Sequence, residues 1–294
     1  TLSNGHYSVL ITGSGSGYSR WRGIDLTRWR ADTTLDQWGT WLYVQDRRSG
    51  ALWSAGCQPT GVRPESYEPL FCIHKAEFGR RDHDVSLRME ITVPPEDDVE
   101  IRRITLTNHG DSLCRLRLTS YGEVALAPHS VDRRHQAFNK LFIESEFLPE
   151  VNGLLFRRRP RSADEEPIYM MHLLVPAERH QATGAYEADR ARFVGRGGTL
   201  QAPAALIYRS RGSGDERAGG MQGPPGATGA TLDPVMSLGQ DIDLDAHLTT
   251  QMAFITLAAR SRDEALELAR RYRSWPRIGR AFDLAHANGE LEMR

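Results

Sequence analysis

In the stretch VSLRMEITV, Val85, Leu87, Met89, Ile91 and Val93 alternate with Ser86, Arg88, Glu90 and Thr92. A two-residue period places the two sets on opposite faces of an extended chain, so this segment predicts a half-buried strand. HYSVLIT, WGTWLYVQD, LCRLRLTSYGEVAL, NKLFIESEF, PIYMMHLLV and LTTQMAFITLA read the same way. VEIRRITLTN continues the pattern, but Arg102-Arg103 shifts its phase, which predicts a bulge there. Turn signals at RSG (48–50), NHGD (108–111) and VNG (151–153) separate several of these runs. Many short strands, with no alternation of strand and helix, predict an all-β antiparallel sandwich.

Helical signals come only near the end. Ser261 and Glu264 form a capping box before ALELARRY. Ser274 with Pro276 can start a second helix, PRIGRAFDLAHA, which Asn288-Gly289 is expected to end. Residues 209–230 are rich in Gly, Ser and Pro, and GPPGATGAT holds three Gly-X-Y triplets. Collagen needs many more, so this stretch predicts a flexible surface loop. The chain starts almost directly in a strand and stops just after a helix, as a fragment of a longer chain would.

The charge balance, 37 basic against 38 acidic residues, lacks the basic excess that a general nucleic-acid binder uses to displace counterions. Three widely spaced cysteines, Cys57, Cys72 and Cys114, suggest neither a disulfide framework nor a zinc site, and fit a reducing compartment. No run approaches the length of apolar sequence that spans a bilayer, so no direct membrane insertion is expected of this segment.

GSGSGYSRWRGIDLTRWRAD (13–32) starts like a phosphate-binding loop. A P-loop needs a Lys after its last glycine, and none follows Gly17. A dinucleotide fingerprint needs a helix next, but YSRW is β-rich. The glycines therefore predict a tight turn between strands. Trp21, Trp29, Trp38 and Trp41 fall within twenty-one residues, out of six Trp in the chain, among Arg20, Arg22, Arg28, Arg30, Asp32 and Asp36. Flat aromatics suit the apolar faces of sugars, and Arg and Asp suit their hydroxyls. The same Trp residues would equally serve as core.

LSNGHYSVLITGSGSGYSRWRGIDLTRWRADTTLDQWGTWLYVQD, LWSAGCQPTG, YEPLFCIHKAEFGRRD, PEDDVEIRRITLTNHGD and LTSYGEVALAP together resemble the N-terminal β-sandwich of the glycoside hydrolase family 94 type. KLFIESEF, RRRPRS, DRARFVGRG and LDPVMSLGQ fit it as well. The sequence is most similar to the first such sandwich inside bacterial cyclic β-1,2-glucan synthases. The resemblance implies a large antiparallel super-sandwich, galactose mutarotase-like, over residues 1–258. Residues 259–294 would form a helical linker toward an (α/α)6 barrel outside this chain that holds the catalytic carboxylates. It implies a place on the cytoplasmic side of a bacterial inner membrane, as a soluble segment of a larger membrane protein. The chemistry would belong to other segments, with no catalytic residue, metal or cofactor here.

In such enzymes loops of the sandwich lie near an active site or a dimer interface. The residues this would assign to carbohydrate are Tyr18, Arg20, Trp21, Arg28, Trp29, Arg30, Asp32 and Trp38, with Gln58 and Tyr67 behind them. The partners implied are a β-1,2-linked glucan, the adjacent barrel and a second copy of the chain. Three readings stay open: a glucan-contacting module, a purely structural or dimerisation scaffold, and a mutarotase-like enzyme. The last predicts that some of His74, His129, His135 and His172 converge with Glu123 or Glu144. PEDDVE (95–100) reads as a charged turn before a strand.

Overall fold

In the computed structural model the described residues form two nine-stranded antiparallel sheets. The structure describes residues 1–31, 34–162, 165–176, 184–207 and 226–292. The first sheet runs β1 (Leu2–Ser3), β2 (Tyr7–Ile11), β3 (Gly17–Trp21), β4 (Ile24–Thr27), β11 (Cys114–Pro128), β17 (Pro234–Leu244) and β15 (Ala185–Asp189). β5 (Trp41–Asp46) also pairs β11, with β6 (Leu52–Ser54) beside it. The second sheet runs β16 (Gly229–Ala230), β12 (Ile143–Leu148), β13 (Gly153–Arg158), β14 (Ile168–Val175), β18 (Thr249–Ala259), β10 (Val99–Asn108), β9 (Val85–Thr92), β8 (Ala76–Asp82) and β7 (Ser66–Phe71). The stretch expected as a loop at 209–230 lies mostly outside the described residues.

Val85, Leu87, Met89, Ile91 and Val93 face the core between the sheets, as their alternation predicts, against a set that includes Leu118, Met236 and Leu238. Each such side chain contributes about 1.5–3 kcal/mol on full burial. The bulge expected at Arg102-Arg103 is absent. β10 pairs β18 without a break from Val99 to Thr107, and pairs β9 without a break from Ile101 to Asn108. The apolar residues change face because both faces are covered. Ile104 and Leu106 point into the intersheet core, whereas Val99 and Ile101 point outward under helices. Glu100 and Arg102 then face inward and neutralise each other at 2.6 Å.

Those helices are α4 (Arg262–Tyr272) and α5 (Trp275–Glu292). The Ser261 hydroxyl accepts the Glu264 N–H at 3.1 Å, while the Glu264 carboxylate accepts the Arg260 N–H at 2.9 Å, so the capping signal holds. Leu268, Tyr272, Ile278 and Phe282 form a second core on the outer face of the sheet with Ile101 and Leu257. α5 does not stop at Asn288-Gly289. A Cβ at Gly289 would lie 2.7 Å from Ile73, so this glycine serves a close crossing over the β7–β8 connection, not a helix end.

Three short helices appear where the sequence gave no helical signal: α1 (His129–Arg134), α2 (Gln136–Lys140) and α3 (Arg190–Val194). None is long enough to display a 3.6-residue period. α3 covers the outer face of the first sheet, where Phe193, Val194 and Leu206 pack on Trp41, Tyr43 and Tyr121.

The charged turn at 95–98 ties the layers together. The Asp97 carboxylate accepts from Arg271 at 2.7 Å, Arg277 at 2.8 Å and the Tyr272 hydroxyl at 2.8 Å. Burial works against its charge, but Arg277, Tyr272 and Arg271 together hold it below the usual carboxylate range. Asp98 accepts the Trp21 indole N–H at 2.6 Å. His172 sits between the sheets, with Nε2 2.9 Å from the Ser120 hydroxyl and Nδ1 3.0 Å from that of Thr256. Burial, then the Arg102 charge, pushes its pKa down to about 3.

Two outcomes follow from these contacts. Asp97→Ala is expected to cost about 2–3 kcal/mol in urea denaturation and to speed amide exchange in α4 and α5 before the sheets. His172 stays neutral when folded but titrates near 6.5 when unfolded, so its contribution is complete above pH 6.5 and falls as pH drops below it. Urea denaturation of His172→Gln at pH 7.5 and 5 should show a smaller loss on acidification than the parent.

Candidate functional site

β4 and β5 are two halves of one interrupted strand. Both pair antiparallel with the same edge of β11, β4 through Val124 and beyond, β5 through Leu116 to Tyr121. The chain leaves the sheet at this gap after Thr27 and rejoins it at Trp41. Its exit is held by Arg28, whose side chain is 0 % exposed. Its backbone N–H donates to the Glu123 carbonyl at 2.9 Å. Its guanidinium donates to Asp132 at 3.0 and 3.1 Å, to the Glu123 carboxylate at 2.9 Å and to the Val124 carbonyl at 3.3 Å. Burial opposes the charge on Asp132, but Arg28 and then Arg30 keep its carboxyl below the usual range. The return is held from the other sheet, where the Arg102 guanidinium donates to the Thr40 carbonyl at 2.8 Å.

The loop's middle lies over the turn between β2 and β3. Asp36 accepts from the Thr12 hydroxyl at 2.6 Å and from Ser14. The Trp38 carbonyl accepts from the Gly17 N–H at 2.9 Å and from the Ser16 hydroxyl. At Gly17, φ is +144° and a Cβ would collide with the Leu10 carbonyl, so the expectation of a glycine-dependent turn holds there. Two further residues named from sequence serve as struts. The Gln58 side-chain amide donates to the Leu35 carbonyl at 2.8 Å. The Tyr67 hydroxyl donates to the Gly13 carbonyl at 2.7 Å, and burial followed by the nearby Cys57 raises its pKa.

The named residues divide into two groups. Trp21 and Arg28 are buried and use their polar atoms inside the chain, so neither offers a surface to a ligand. Tyr18, Arg20, Trp29, Arg30 and Trp38 are partly exposed. Tyr18 and Arg20 share the outer face of β3, opposite the inward Ser19 and Trp21. The Tyr18 and Trp29 rings stack, with centroids 5.4 Å apart and an interplanar angle of 18°. Arg30 reaches Asp132 at 3.2 Å. Arg20 is 3.7 Å from Asp25, which pairs His129 at 2.7 Å. Asp32 lies outside the described residues.

Buried Asp25, Glu123 and Asp132 hold these side chains from beneath; the sequence names Glu123 and His129 only as mutarotase-type candidates and offers no sign of Asp25 or Asp132. Asp132 lies 104 positions from Arg28, and no local pattern reports such a contact. The His and Glu residues considered for a mutarotase-like site are engaged with other partners. His172 is internal, Glu123 is taken by Arg28 and Arg190, Glu144 pairs Arg159, His129 pairs Asp25, and His74 packs on His286. His135 forms the junction between α1 and α2. Among the described residues, no group of three or more His, Cys, Asp or Glu is placed to hold a metal. No helix of them is long and apolar enough to cross a membrane.

A family model described as glycosyl hydrolase 94, supersandwich domain, matches residues 1–275. The chain belongs to this family. It is 33 % identical over 301 residues to cyclic beta-(1,2)-glucan synthase NdvB of Rhizobium meliloti (strain 1021), spanning 100 % of this chain and 10 % of that protein. It is 23 % identical over 200 residues to N,N'-diacetylchitobiose phosphorylase of Vibrio proteolyticus, spanning 66 % of this chain and 24 % of that one. Among solved structures, a bacterial glucoamylase complexed with acarbose is similar with a TM-score of 0.49 and 8 % identity, over 95 % of this chain and 36 % of that one. This supersandwich thus corresponds to a minor part of each curated relative.

The buried and surface arginines of the supersandwich should separate cleanly. Arg28→Ala leaves Asp132 and Glu123 without their central cation and is expected to cost about 3–5 kcal/mol. Arg30→Ala, at a partly exposed arginine whose partner Asp132 keeps Arg28, is expected to cost only about 1 kcal/mol. Urea denaturation of both variants at pH 7 checks the difference.

Proposed function

We propose that this supersandwich is a non-catalytic, carbohydrate-associated domain of a cyclic β-1,2-glucan synthase-like enzyme. It supports a neighbouring catalytic (α/α)6 barrel and contacts the glucan chain through the outer face of β3 and the adjoining residues 29–30 and 38. The observation that carries this reading is the Tyr18–Trp29 stack, presented on a braced loop beside Arg20 and Arg30. Aromatic rings offer a sugar its apolar contact, and fixed guanidinium groups offer its hydroxyls donors. Family membership and the similarity to NdvB support the substrate class. The proposed setting is the cytoplasmic face of a bacterial inner membrane, where the rest of such an enzyme would be anchored.

A second reading, an assembly scaffold, has its own supporting observation. β7 is the last strand of its sheet, and Leu70, Phe71 and Ile73 at its end are about half exposed. Open edges that carry apolar side chains are apt to pair with another chain. On this reading the arginines and aromatics near β3 would be packing surface for the barrel.

Calorimetric titration of the chain with linear and cyclic β-1,2-glucans separates the two. The glucan reading expects millimolar or tighter binding, weakened about tenfold or more in Tyr18→Ala/Trp29→Ala. Absence of heat from a folded parent, or unchanged affinity in a folded double variant, defeats it. Sedimentation showing a dimer that Phe71→Glu dissociates would then favour the scaffold.

A further inference from the structure

On the outer face of the second sheet, α4 packs over β14 and β18, and α5 reaches β9. β12 and β13 extend past this cover. Between them and the start of α4 lies an open cleft of about 310 Å³. Leu155 and Tyr169 are among its lining residues, together with Glu144, Glu146, Arg157 and Arg262. The strand register explains the grouping. Glu144 stands directly opposite Arg157, which stands directly opposite Tyr169, so the three form one row across β12, β13 and β14. Glu146 stands opposite Leu155 in the next row along the same face.

The charges around the cleft are unevenly used. Glu146 pairs Arg262 at 3.1 Å, and Glu144 pairs Arg159 at 3.2 Å. Both pairs are exposed and therefore weak, so they cost little to rearrange. The exposed Arg157 side chain has no hydrogen-bond or ion-pair partner among the described residues, although Glu144 is its cross-strand neighbour. The cleft thus offers a free guanidinium fork, two carboxylates able to accept, and a tyrosine ring beside a leucine.

We propose that this cleft is a second saccharide site, separate from the Tyr18–Trp29 face and on the other sheet. The chemistry selects a neutral polyhydroxylated ring. Glu144 and Glu146 disfavour an anion, and Arg157 and Arg262 disfavour a cation. Alternating hydroxyls can instead donate to the carboxylates and accept from Arg157. The volume is near the lower end of that of small-ligand pockets, which suits a single terminal sugar ring better than a long chain. Tyr169 lies at the cleft to pack against the ring's C–H face.

The test is two-dimensional amide NMR of the 294-residue chain with glucose, with the β-1,2-linked disaccharide sophorose, and with inorganic phosphate. The expected result is a saturable shift of amides at 144–146, 155–157 and 169 with either sugar. Arg157→Ala and Glu144→Gln each weaken it about tenfold, and both are surface exchanges compatible with folding. Tyr18→Ala/Trp29→Ala leaves it intact, so the outcome is independent of the site on β3. No shift at these amides at tens of millimolar sugar overturns the proposal, as does unchanged affinity in both folded variants. Shifts there with phosphate and not with sugar would make the cleft an anion site and overturn it equally.

Discussion

Arg28 occupies the gap between β5 and β4 along one edge of β11. β5 pairs this strand up to Tyr121 and β4 pairs it from Val124 onward. The stretch between would leave backbone acceptors open on a buried edge, which is costly. Arg28 supplies them with donors from its backbone and its side chain at once. The price is a cation inside the protein, offset by Asp132 and Glu123. Because Asp132 belongs to α1, the same contact sets this helix against the sheet, and with it His129 and the anchor of Arg30. The outer surface of the β3–β4 region therefore inherits its geometry from one buried guanidinium.

Polar groups inside the sandwich follow the same logic elsewhere. Glu100 accepts from Arg102 and from the hydroxyls of Ser19 and Tyr7, so its inward position leaves no open charge. His172 bridges the sheets through two hydroxyls and stays neutral. Asp97 gathers two arginines and a tyrosine from α4 and α5, so the outer helical layer is fastened by polar contacts as well as by its apolar core.

Much of the fold could be read from the chain because strands with one wet face alternate with period two. β9 is the clearest case. β10 misled the reading because its second face is also covered at one end, so Val99 and Ile101 broke the phase without breaking the strand. Gly289 misled it for a related reason: a glycine before solvent and a glycine against Ile73 look alike in sequence. The site was legible as a concentration of Trp and Arg, but not as an arrangement. Arg28 and Arg30 are two residues apart, yet one side chain is wholly internal and the other is 24 % exposed. Both reach Asp132, but only Arg28 also reaches Glu123, about a hundred positions later, and no local spacing encodes a contact at that distance.

The broken strand also bears on how such a sandwich can diversify. β4 and β5 hold the chain in register on β11 on either side of this gap, and Arg28, Asp36, Trp38 and Thr40 fix the described parts of the connection. Lengthening it would add only closure entropy, about 0.6 kcal/mol for each doubling. Such a scaffold can therefore vary the part of this connection that makes none of these contacts, while the ladder, the cores and the helical cover stay as they are.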